Sequence, residues 1–113
     1  MEKVTKSISL QDIKAMAQNR FGDFVKAVVD VELGIMAVDA ELHADEESFL
    51  LEGGSKQENL WGINIYPDQP VENWVEFDSM INIRPGQGNR SRGVENENTQ
   101  KKIKEIVDKL IVG

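Results

Sequence analysis

Apolar residues along this chain recur with two periods, and the change from one to the other divides it into elements. Val4–Ile8 reads as a short edge strand. Leu10, Ile13, Met16, Ala17 and Phe21 then fall at helical spacing as one core-facing stripe. Ser9 stands in the capping position with Asp12 three residues on, and Gly22 stops the helix. Phe24–Leu42 alternates as a hairpin. With Leu33-Gly34 as a two-residue turn, the pairs Val31/Met36, Val29/Val38, Ala27/Ala40 and Val25/Leu42 fall on one apolar face, while Asp30/Ala37, Val28/Asp39 and Lys26/Glu41 fall on the other.

The second half repeats the theme. Ala44–Glu52 predicts a short helix with Asp45, Glu46 and Glu47 in its first turn and Gly53-Gly54 at its end. Leu60–Tyr66 predicts a strand with Trp61, Ile63 and Ile65 on one side and Asn64 on the other, closed by Pro67. Trp74–Arg84 predicts the returning strand. There Val75, Phe77, Ile81 and Ile83 point one way and Glu76, Asp78, Met80, Asn82 and Arg84 the other. Asn96 or Asn98 caps a last helix with Ile103, Ile106, Val107, Leu110 and Ile111 as its stripe. Hairpins without βαβ alternation predict an α+β fold: an antiparallel sheet of four to five strands with two to three helices packed on one face, as a single domain over residues 1–113. The opposite face is expected to be open and polar, carrying Lys26, Asp30, Asp39, Glu41, His43, Asn64, Glu76, Asp78, Asn82 and Arg84.

Composition narrows the function classes. A net charge of −7 argues against nucleic-acid or anionic-membrane binding, which needs an excess of Lys and Arg, but leaves room for a local anion site. The chain has no cysteine, which removes disulfides, thiolate nucleophiles and Cys-ligated metals and suits a reducing cytoplasm. The first residues lack the apolar core of a signal peptide, and no apolar run has membrane-spanning length.

Two constellations could carry chemistry. Arg84, Arg90 and Arg92 lie in a loop with Gly86, Gly88 and Gly93. Arginine forks and glycine-exposed backbone N–H groups suit a small anionic ligand, with Asn82 and Asn89 orienting it. Alternatively, the same arginines pair with carboxylates of the open face. Pro85 restricts Arg84 to extended backbone, so its side chain is expected over that face, toward Asp78, Asp39 or Glu41. The second constellation is Asp39, Glu41 and His43, which alternate on one strand, with Asp78 on another. They are candidates for a divalent metal, and Glu41, His43 and Asp78 for proton transfer. The alternative is a solvated polar face. Zinc-protease, phosphate-loop and serine-elbow motifs are absent, and the sequence leaves any cofactor unknown. Met80 interrupts the polar row beside Val28 and Ala37, a small apolar patch that suits self-association as a homodimer.

The runs Phe21–Asp30, Glu41-Leu42-His43-Ala44-Asp45, Leu60-Trp61-Gly62-Ile63-Asn64-Ile65-Tyr66-Pro67 and Asp78–Pro85 together resemble a family of small uncharacterised bacterial and archaeal proteins. The resemblance spans Ile8 to Leu110. It implies a stand-alone prokaryotic cytoplasmic domain and brings no catalytic residue with it.

Overall fold

A computed structural model describes residues 1–113. Its centre is the predicted hairpin, β3 (Val25–Asp30) and β4 (Ile35–Val38). Val25, Ala27, Val29, Met36 and Val38 are all buried in the main core, as their alternation predicts. The pairing differs by two residues: Asp30 faces Ile35 and Val29 faces Met36. A two-residue slip leaves every side chain on its own face, so the hydrophobic pattern cannot distinguish the registers. Turn chemistry does. Asp30 Oδ1 accepts the N–H groups of Glu32 and Leu33, each at 2.9 Å, and Gly34 at φ 69° donates its N–H to the Asp30 carbonyl at 2.9 Å. An aspartate that bonds the backbone ahead of it opens a longer loop than the Leu33-Gly34 turn.

The sheet runs β1-β4-β3-β5-β6, where β1 is Glu2–Val4, β5 Leu60–Ile65 and β6 Val75–Glu76, and every pair is antiparallel. Two helices, α1 (Leu10–Asn19) and α3 (Glu97–Leu110), cover its first face. Ile13 and Ala17 of α1 and Ile103, Ile106, Val107 and Leu110 of α3 complete the core there. Ser9 caps α1 by accepting the Asp12 N–H at 3.0 Å, and Asn96 caps α3 by accepting that of Thr99 at 3.0 Å. Beyond these, β2 (Ile8–Ser9) and β7 (Ile111–Val112) pair in parallel and join the start of α1 to the end of α3. Phe21, expected in the core, lies at the surface and stacks on Phe24 with ring centroids 4.8 Å apart.

The second face is not open. The third helix, α2 (His43–Glu52), lies across it, with Leu50 and Phe49 against Val28, Ala37, Ile35, Leu60 and Ile81. Val28 and Ala37 are the reason. The middle of this face is apolar, and burying a side chain the size of Val28 or Leu50 contributes about 1.5–3 kcal/mol. The expected polar face therefore survives only at one end of the sheet, around Lys26 and Asn64.

The long return strand is also absent. After Val75–Glu76 the chain leaves strand geometry, and Met80–Asn82 makes a 3-10 turn beside β5. Asn82 substitutes for the missing strand: its Oδ1 accepts the Gly62 N–H at 2.8 Å and its Nδ2 donates to the Gly62 carbonyl at 2.9 Å. Gly62 permits this approach, because a Cβ there would lie 2.6 Å from the Cβ of Ser79. No helix is long and apolar enough to cross a membrane.

Candidate functional site

Where α2 stops covering the second face, a cleft of about 360 Å³ remains. Its floor is Lys26 and Asn64, which face each other across β3 and β5. One wall is the start of α2 with Leu42 and His43. The other is Asp78, Met80 and Arg92.

His43 is the first residue of α2, preceded by extended Leu42 at φ −126°. Its buried ring places Nε2 at 2.8 Å from the Ile63 carbonyl oxygen. A carbonyl only accepts, so Nε2 carries the hydrogen and Nδ1 keeps its lone pair. Burial pushes the imidazole pKa below its ordinary 6.5; the Ile63 hydrogen bond and the Asp78 charge oppose it, and the charges of Lys26 and Arg92 push the same way as burial. The site thus holds a neutral imidazole of fixed tautomer in a cleft that two cations also line. Lys26 Nζ sits 5.1 Å from the centre of the Phe21 ring. Arg92 Nε donates to Asp78 Oδ1 at 2.6 Å, and its Nη1 lies 3.7 Å from Met80 Sδ. Asn64 is 7% exposed. Its Nδ2 donates to Glu76 Oε1 at 2.8 Å, whereas its Oδ1 is buried without a partner.

The structure brings His43, Asp78 and Arg92 together and sends the other sequence candidates elsewhere. Arg84 donates to the carbonyls of Gln57 and Leu60, and its guanidinium lies 4.2 Å over the Trp61 ring. It does not reach Asp78, Asp39 or Glu41: once the chain leaves strand geometry at Phe77, alternation no longer decides which face Arg84 takes. Asn82 and Asn89 are buried braces. Beyond Gly62, Asn82 bonds the Arg92 carbonyl at 2.9 Å. Asn89 donates to the carbonyls of Asn82 and Gly93, both at 2.8 Å, and accepts the Glu95 N–H at 2.9 Å. Arg90 is exposed. The loop does form an anion site, but the chain fills it itself: Glu95 Oε2 accepts the N–H groups of Arg90 and Ser91 at 2.7 and 2.9 Å, which holds the Glu95 carboxyl below the usual range.

Asp39, Glu41 and His43 do not share a strand. β4 ends at Val38, and Asp39 takes left-handed backbone at φ 68°, a conformation aspartate tolerates better than most residues. Asp39 Oδ1 accepts from Arg20 Nε at 2.8 Å, and Glu41 is exposed. No three His, Asp or Glu side chains come close enough to hold a metal ion. Sequence reasoning passed over Glu46, which is fully buried on the sheet-facing side of α2 between His43 and Leu50. Burial pushes its pKa up to about 9, against the Ala40 N–H that donates to Oε2 at 3.2 Å. The spacing of His43, Glu46 and Leu50 at helical intervals was the available signal.

Fold and cleft together define an α+β protein, helices on both sides of an antiparallel sheet, with one polar cleft at the sheet's uncovered end. The family model described as protein of unknown function (DUF5674) matches residues 2–110, and the chain belongs to that family. The family resemblance carried by the four sequence runs is thereby met. No curated protein and no solved structure matches the chain.

Proposed function

We propose that this protein binds a small anionic ligand, and that the site is the cleft of Lys26, His43, Asn64 and Arg92 rather than the Arg84–Arg92 loop. The observation that carries this reading is the tautomer-fixed His43 in a half-enclosed cleft that two cations, Lys26 and Arg92, also line. Asp78 fixes the Arg92 guanidinium through Nε, Nη1 lies against Met80 Sδ, and the Nη2 N–H groups are left to a ligand. Lys26 supplies the second charge. His43 Nδ1 accepts a ligand O–H or N–H, and in any reaction it is the group placed to take a proton. Thermal unfolding with a panel of carboxylates, phosphates and nucleotides tests the reading. A ligand at tens to hundreds of Kd adds roughly 2–3 kcal/mol of stability. Lys26→Met should remove that gain without changing the unliganded midpoint by much. A panel that shifts neither protein refutes the proposal.

A second reading is favoured by one observation: Met80 and Leu42, at the cleft mouth, are 65% and 55% exposed. They suit a homodimer contact over the cleft. Val28 and Ala37, expected to be central to such a contact, lie under α2 and take no part. Light scattering at tens of micromolar separates the readings, since a monomer leaves the cleft to a ligand.

A further inference from the structure

We infer that the ligand class is a monoanionic carboxylic acid with an apolar body and a hydroxyl group beside the carboxylate, an inference that rests on the cleft being the binding site. The charge count limits the head group. The lining holds two cations, Lys26 and Arg92, and one carboxylate, Asp78, paired with Arg92, which leaves one uncompensated positive charge among the lining residues. A single carboxylate balances it. A phosphate ester carries about −1.5 to −2 near neutral pH and would leave excess negative charge among the lining residues of a half-enclosed site beside Asp78.

The lining chemistry sets the remainder of the ligand. Phe24, Leu42, Ala44, Met80 and Ile81 contribute apolar surface to the same cleft, more than a bare anion such as acetate or inorganic phosphate would cover. Two acceptors are left over: Nδ1 of His43, whose ring donates elsewhere, and Oδ1 of Asn64, buried without a partner. Lys26 and Arg92 are donors and would be spent on the carboxylate. A ligand that brings its own O–H satisfies the His43 acceptor, and an acceptor desolvated without a partner is costly.

The test is a titration of the 113-residue chain, followed by amide NMR at His43 and at the Asn64 side chain, with four probes: acetate, hexanoate, α-hydroxyhexanoate and hexyl phosphate. Hexanoate should bind at least about tenfold more tightly than acetate, because its chain enters the apolar part of the cleft. It should also outbind hexyl phosphate, and α-hydroxyhexanoate should bind more tightly again. Lys26→Met should weaken hexanoate by roughly tenfold or more, as loss of a partly desolvated charge partner does. Hexyl phosphate binding the cleft as tightly as hexanoate would overturn the carboxylate assignment while leaving the cleft as the site. Equal affinities for acetate and hexanoate would overturn the apolar body, and equal affinities for hexanoate and its α-hydroxy form would overturn the donor group. If no probe perturbs His43 or Asn64 at millimolar concentration, both this inference and the proposed site fall.

Discussion

Replacing Asn82 with alanine removes three hydrogen bonds from a fully buried position: from the Gly62 N–H, to the Gly62 carbonyl and to the Arg92 carbonyl. Each group left unpaired in the interior costs about 1–3 kcal/mol, and a water entering the vacated space recovers part of that. The expected loss is therefore ~3–5 kcal/mol, a large share of the ~5–15 kcal/mol that holds a domain folded. Asn82→Asp is a sharper variant. It keeps the acceptor for Gly62 N–H, loses both donors and sets a charge against two carbonyls, so it should be at least as damaging. Urea denaturation at neutral pH measures both, with the slope checked so that a change in midpoint reads as stability. If Asn82→Ala unfolds within ~1 kcal/mol of wild type, the asparagine does not replace a strand and the account of this sheet edge is wrong.

Three further outcomes follow from the same geometry. Gly62→Ala places a methyl 2.6 Å from the buried Ser79 side chain and should cost ~1–3 kcal/mol by overpacking, measured in the same urea series. Arg84→Ala loses two backbone contacts and the stack on Trp61, for ~1.5–3 kcal/mol, whereas Arg92→Ala breaks a pair whose arginine is 55% exposed and should cost under ~1 kcal/mol; the reverse order would refute the assignment of Arg84 as a brace. Glu46 binds its proton more tightly folded than unfolded, so its contribution to stability is full below its ordinary 4.5 and is lost as pH rises toward about 9. Wild type should thus lose urea resistance between pH 7 and about 9, and Glu46→Gln should not. That window avoids His43, whose lowered pKa makes stability fall only as pH drops below 6.5. Parallel profiles for the two proteins would show that Glu46 is ionised in the fold.

Much of this fold was legible because burial imposes period. The faces of β3, β4 and β5, the cap at Ser9 and the stripe of α3 all follow from which side chains avoid water. The unread parts were set by polar side chains acting on backbone, which leave no periodic trace. Asp30 moved the hairpin register by two residues, and Asn82 ended a strand whose alternation looked unbroken. The site was half legible for the same reason. His43, Asp78 and Arg92 were named from their chemistry, but Arg84, Asn82 and Asn89 look like ligand-binding residues and are bound to the chain's own carbonyls. Lys26 and Asn64 were visible on the polar face. What selected them was the place where α2 begins, which leaves that end of the sheet uncovered.

His43 is the only histidine, so nitrogen NMR of its ring reports on the cleft without any mutation. The ring should show one neutral tautomer with the hydrogen on Nε2 at neutral pH and should titrate below the ordinary 6.5. A bound carboxylate should raise that pKa and move the Asn64 side-chain amide with it. A ring that titrates at 6.5 with mixed tautomers, and that no anion perturbs, would contradict this reading of the cleft.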